Sequence, residues 1–85
     1  MNSEQILELI QTCTYEVIPT LRGKSLGREE SLVALGADSM ERAEILSLVM
    51  EKLSLKIPRI ELAGAKTLGD LADLLALKLD HHHDQ

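Results

Sequence analysis

Apolar residues recur along this chain with the period of a helix, and a proline or glycine stands where the period breaks. Ile6, Leu9, Ile10, Cys13 and Val17 fall on one side of a stretch from Ser3 to Ile18, leaving Glu4, Glu8 and Glu16 for solvent or for the helix start. Asn2 or Ser3 suits the N-cap, and Pro19 stops the helix. A second helix is predicted from Ser39 to Leu53, because Asp38 is a good cap residue and Glu41 completes a capping box. Its inward stripe is expected to hold Met40, Ala43, Leu46, Met50 and Leu53, while Glu41, Glu44, Leu48 and Glu51 stack along an exposed face. "PRIEL", from Pro58, predicts a turn or two of helix ended by Gly64, since proline is tolerated at the first helical position. Thr67 with Asp70 then caps a last helix, Leu68 to about Leu79, whose Leu68, Leu71, Ala72, Leu75 and Leu79 face the core.

Pro19 to Asp38 forms a long connection with Gly23, Gly27 and Gly36 as turn points. A compact domain seldom carries such a loop without function or local structure. Leu21, Leu26, Leu32, Val33 and Leu35 are expected to pin it, with one helical turn near Glu29 to Ala34. The predicted architecture is all-α: a four-helix bundle of three longer helices and one short one, with a long loop between helices one and two.

Composition narrows this further. Eighty-five residues make one small domain, and a single aromatic residue, Tyr15, leaves the core to aliphatic side chains. A net charge of −5, with nine Lys and Arg scattered among fourteen acids, argues against a nucleic-acid surface and suits a basic protein partner. No apolar run reaches the length of a membrane span, and "MNSEQILELI" lacks the basic-then-apolar pattern of a signal peptide. The expected location is the cytoplasm, where a lone cysteine stays reduced; Cys13 sits in an apolar stripe and reads as a buried thiol. Residues 1–80 form the expected domain, and 81–85 a disordered His-rich tail. Adjacent histidines on a helix point about 100° apart and so cannot share one ion, and no metal site is expected.

The chemistry centres on "ALGADSMERAEI", which puts Ser39 at the head of the second helix. A hydrolase nucleophile elbow needs glycine two before and two after the serine, where Ala37 and Glu41 stand, and the histidines needed for a triad occur only in the tail. Covalent modification fits better. The first-turn N–H groups and the helix dipole favour an anion there by about 0.3–1 kcal/mol, so a phosphodiester on Ser39 is stabilised, and Asp38 is placed to help a modifying enzyme's metal ion. An ordinary first-turn serine behind an aspartate cap is the plain alternative.

The run "ESLVALGADSMERAEIL", with a helix before it and "IPRIELAGAKTLGDLADLL" after it, resembles an acyl carrier protein over nearly the whole chain. "LGADSM" is similar to the family's Gly, any residue, Asp-Ser-Leu motif, with Met40 in place of leucine. The resemblance implies a bundle of acyl-carrier type that is a carrier and not an enzyme, and a monomer. It implies 4′-phosphopantetheine on Ser39, transferred from coenzyme A by a phosphopantetheinyl transferase using magnesium. It also implies a partner face of Met40, Glu41, Arg42, Glu44, Leu48 and Glu51 on helix two.

Arg42, Ser47, Leu48 and Met50 dilute the acidic stripe of a typical fatty-acid carrier. In "DSMERAEI" and "LSLKIPRIELAGAKTLGDLADLL" the chain resembles the free-standing carriers of polyketide β-branching cassettes. Those present an acetyl unit to a 3-hydroxy-3-methylglutaryl (HMG)-synthase-like enzyme, and an acyltransferase and a ketosynthase-like decarboxylase are the further partners implied. The alternatives are a carrier for fatty-acid synthesis or a chain-extending polyketide module, a non-catalytic helical interaction module, and a metal module on His81 to His83.

Overall fold

Three α-helices form where the apolar period runs, and their starts are set by side chains. The computed structural model describes the backbone of residues 1–83 and the side chains of residues 1–80. Helix α1 spans Ser3–Val17, α2 Ser39–Leu53 and α3 Leu68–His83. Asn2 caps α1 in a reciprocal box with Gln5. Thr67 Oγ1 accepts from the N–H of Asp70 at 3.1 Å at the start of α3. Helix α1 packs on both α2 and α3, which barely meet each other. The core lies along α1, with Ile6, Ile10, Ile45, Val49, Leu68 and Leu75 fully enclosed.

The fourth helix of the expected bundle is a 3₁₀ turn, Arg59–Leu62, and another such turn, Pro19–Gly23, opens the long loop. Pro58 is extended at the head of "RIEL" and supplies no side-chain cap, and Gly64 follows close behind. Only short i→i+3 bonds fit between them: Glu61 N–H to the Pro58 carbonyl at 3.0 Å and Ala63 N–H to that of Ile60 at 3.2 Å. Lys78 Nζ, 2.6 Å from Glu61 Oε1, holds this turn to α3.

Helix α2 is rotated from the expected orientation. Ile45, Val49 and Leu53 are buried, Ala43, Leu46 and Met50 are half-buried, and Met40 is 81% exposed. The two apolar stripes on this helix are nearly equal in length, so its own pattern leaves the rotation open; contact with α1 selects the β-branched pair Ile45 and Val49. In α1, Ile6, Ile10 and Cys13 are buried as expected, Leu7 and Thr14 join them, and Leu9 and Val17 are half-buried. Thr14 Oγ1 donates to the Ile10 carbonyl at 2.7 Å, which satisfies it. Burial pushes the Cys13 thiol up, with the Glu16 charge adding to the effect, so this sulfur stays protonated and inert.

In α3, Leu68, Leu71, Ala72 and Leu75 face the core and Leu79 is half-buried. The helix runs to His83, past the expected end near Leu79, since no glycine or proline after Gly69 stops it. Asp84 and Gln85 lie outside the described residues.

The long loop is pinned from several sides. Leu21 and Leu26 are buried, Leu32 and Leu35 half-buried, but Val33 is 66% exposed and does not serve as a pin. Tyr15 Oη donates to the Lys24 carbonyl at 2.7 Å, and Gln11 Nε2 donates to that of Leu26. Arg28 reaches across to Asp73 at 2.8 Å. The Ser3 hydroxyl and then Arg28 hold the Asp73 carboxyl below the usual carboxylate range. The firmest tie is backbone to backbone. The Leu68 N–H donates to the Glu30 carbonyl at 2.8 Å and the Gly69 N–H to the Arg28 carbonyl at 2.9 Å, so the loop satisfies the first two orphan donors of α3.

That approach needs glycine. A Cβ on Gly69 would lie 2.9 Å from Arg28 Cβ and 3.1 Å from the Arg28 carbonyl oxygen, whereas one on Gly64 meets nothing within 4 Å. Gly69→Ala is expected to cost about 1–3 kcal/mol in urea unfolding through this overpacking, with Gly64→Ala near neutral. Ile45→Ala is expected to lose about 2–5 kcal/mol and Leu46→Ala clearly less; the reverse order would mean that α2 turns its other stripe inward.

Candidate functional site

The approach to α2 is built by a sequence of turns. Residues 32–36 make one turn, where the expectation was Glu29 to Ala34. It closes as a Schellman motif, with the Gly36 N–H on the Val33 carbonyl and the Ala37 N–H on the Leu32 carbonyl, each at 3.0 Å. Gly36 takes φ of 93°, which a side chain would disfavour. Ala37 is then buried and anchors the chain immediately before the helix.

Asp38 follows as the N-cap. Its Oδ1 accepts from the Glu41 N–H at 2.8 Å, and Glu41 Oε1 accepts from the Asp38 N–H at 3.0 Å, which completes the expected capping box. The box engages one oxygen of Asp38 and turns the Glu41 carboxylate back along the chain. Ser39 is therefore the first helical residue, exposed, beside the exposed Met40.

Helix α2 presents two different surfaces beyond Ser39. Met40, Glu44 and Glu51 are exposed together on the outer face of α2, and Glu41 and Leu48 are half-buried at its margins. On the other side, the gap left where α2 and α3 fail to meet is a cleft of about 480 Å³. Leu32 and Val33 of the loop, Arg42 and Leu46 of α2, Leu62 and Lys66 of the connection and Leu68 and Leu71 of α3 line it. Arg42 thus stands on the cleft side, away from the face that was expected to hold it, with Nη1 donating to the Ala37 carbonyl at 2.7 Å. The cleft was not legible in the sequence, because its walls come from distant segments and Leu46 reads there as core.

Among the described residues no cluster of three or more His, Cys, Asp or Glu could hold a metal ion, and no helix is long and apolar enough to cross a membrane.

The profile of the family described as "Phosphopantetheine attachment site" matches residues 4–75. The chain belongs to the phosphopantetheine-binding family. Members carry 4′-phosphopantetheine on a serine and are acyl carriers rather than catalysts, as the sequence led us to expect. The chain is 52% identical over 75 residues to the polyketide biosynthesis acyl-carrier-protein AcpK of Bacillus subtilis (strain 168), covering 88% of this chain and 92% of that one. It is 29% identical over 79 residues to the hybrid PKS-NRPS synthetase thnA of Trichoderma harzianum, covering 89% of this chain but 2% of that protein. Among solved structures it is similar to a chain from the curacin biosynthetic pathway HMG synthase in complex with its acetyl donor carrier. The TM-score there is 0.86 and the identity 55%, over 91% of this chain and 99% of the other. That near-complete mutual coverage gives the matched chain a carrier's size.

An exposed serine hydroxyl at a helix start, as Ser39 presents, fits the group that the family bears, and the mainly apolar cleft has Arg42, three residues further along α2, in its wall. Replacing Asp38 by alanine is expected to lower stability by about 1 kcal/mol in thermal and urea unfolding, and Asp38→Asn to retain most of it, since either oxygen-bearing side chain can cap.

Proposed function

We propose that this carrier bears its 4′-phosphopantetheine on Ser39 and presents an acetyl group for polyketide β-branching. The observation that carries the attachment is the exposed Ser39 at the first position of α2, held there by the Asp38 box and the turn at Gly36. Asp38 keeps a second carboxylate oxygen outside the capping box and offers it to the transferase's magnesium. When attached, the arm supplies a terminal thiol that holds an acyl group as a thioester.

The rest is done by the surfaces of the chain. Met40 provides apolar contact beside the attachment point, and Glu44 and Glu51, with Glu41 and Leu48 at the margins, provide an acidic face for Lys and Arg on partners. Such charges act mainly on encounter rate and orientation. The similarity to an acetyl donor carrier found with an HMG synthase supports acetyl as the cargo and an HMG-synthase-like enzyme as partner. The likeness to AcpK supports polyketide biosynthesis as the setting. An acyltransferase and a ketosynthase-like decarboxylase would supply the acetyl-loaded form, and the carrier works as a cytoplasmic monomer.

Incubation with coenzyme A and a broad phosphopantetheinyl transferase is expected to add one arm to the native chain and none to Ser39→Ala, read by intact mass. An unchanged native mass would sink the attachment. The acetyl-loaded protein is expected to serve an HMG-synthase-like enzyme better than a fatty-acid ketosynthase, and the opposite preference would return it to fatty-acid synthesis.

A further inference from the structure

Among the described residues, Arg42 is a cation in the cleft wall with no anion paired to it. It stands on the buried line of α2, one turn before Ile45, at a position where the helix end lets its side chain leave the core along the cleft. Among the described residues the ion pairs are made by Arg28 and Lys78, and Arg42 makes none; its one hydrogen bond is from Nη1 to the neutral Ala37 carbonyl, at 2.7 Å. That bond bends the guanidinium back toward the start of the helix and fixes it alongside the chain entering Ser39. Ser39 and Arg42 are three residues apart on one helix, so their Cβ atoms are neighbours at about 5–6 Å. At 100° per residue Arg42 lies about 60° to one side of Ser39, while Met40 lies about 100° to the other.

We propose that Arg42 binds the phosphodiester of the arm and so directs the arm into the cleft, away from the acidic face. The inference rests on Ser39 as the attachment point. The guanidinium has five N–H donors in a fixed fork, and the Ala37 carbonyl occupies part of one end, leaving donors for a phosphate oxygen. Pre-anchoring matters here, because an arginine already held by a carbonyl loses little further freedom when an anion joins it. The same geometry separates two roles on one helix. Glu44 and Glu51 stay free for a basic partner, while the negative charge nearest to them, on the arm, is neutralised from the cleft side. Arg42 is thus a residue for the arm rather than for the partner face.

The test is made on the whole protein labelled with nitrogen-15, before and after loading with coenzyme A and the transferase. The Arg42 Nε–H signal, assigned by its loss in Arg42→Gln, is expected to move on loading and to return toward its unloaded position as salt is raised. The phosphorus-31 line of the loaded protein is expected to sharpen in Arg42→Gln as the phosphodiester gains freedom, with Arg42→Lys in between. A role confined to clipping the Ala37 loop would leave the Arg42 signal unmoved by loading and the phosphorus-31 line equally broad in the loaded native protein and in loaded Arg42→Gln. An added arm with an unmoved Arg42 signal overturns this inference alone, and a failure to add the arm overturns the attachment at Ser39 and this inference with it.

Discussion

Everything at the functional end of this molecule depends on how the first amides of α3 are satisfied. A helix leaves four N–H groups without partners at its start, and burying them unpaired is costly. Here the Thr67 hydroxyl serves Asp70, and the amides of Leu68 and Gly69 are served by the carbonyls of Glu30 and Arg28. The cap of α3 is thus a piece of the loop between α1 and α2. Because Gly69 has no Cβ, the loop comes close enough to make both bonds, and from that fixed place the chain has only a few residues left before Asp38. One turn, closed at Gly36, uses them and delivers Asp38 to the head of α2 in the conformation that a cap requires. The position of Ser39 is a consequence of the capping of a different helix.

The chain's helices and their caps were legible because each is encoded locally. Asp38 with Glu41, and Thr67 with Asp70, are side-chain signals, and both bonds form. The rotation of α2 was not legible in the same way: Leu53 is buried as expected, but Met40, Ala43, Leu46 and Met50 make as good a stripe with it as Ile45 and Val49 do, and only the facing surface of α1 decides between them. The fourth helix failed because four residues between an extended proline and a glycine turn have no room for i→i+4 bonds. The docking of the loop leaves almost no trace in the sequence, since it is made by backbone groups. Its one mark is Gly69 inside an otherwise well-formed helix, where a glycine costs stability unless something must come close.

Of the candidate site, Ser39 and Asp38 could be singled out because "LGADSM" resembles a carrier motif, whereas a capped serine at a helix start would by itself read equally as an ordinary first-turn residue. The cleft could not, since its walls come from the loop, α2, the 62–68 connection and α3. Arg42 marks the border between the two kinds of knowledge. Counted along the helix it falls with Ile45 and Val49 and not with Glu44 and Glu51, and its hydrogen bond to Ala37 and its place in the cleft wall show which way the side chain leaves the core.

The division of contacts among the helices suits a carrier. Helix α1 packs against both others, and the cleft between α2 and α3 is lined partly by core residues, Leu62, Leu68 and Leu71, and partly by half-buried Leu32 and Leu46 and exposed Val33. Leu32, Leu46 and Val33 are the less enclosed part of this wall, whereas Ile6, Ile10, Ile45 and Leu75 lie away from it in the enclosed core. Less enclosed segments open locally at a lower cost than the whole domain unfolds, so this wall is where the molecule can yield first. A tighter α2–α3 contact would add buried apolar area to a domain of this size and close the cleft.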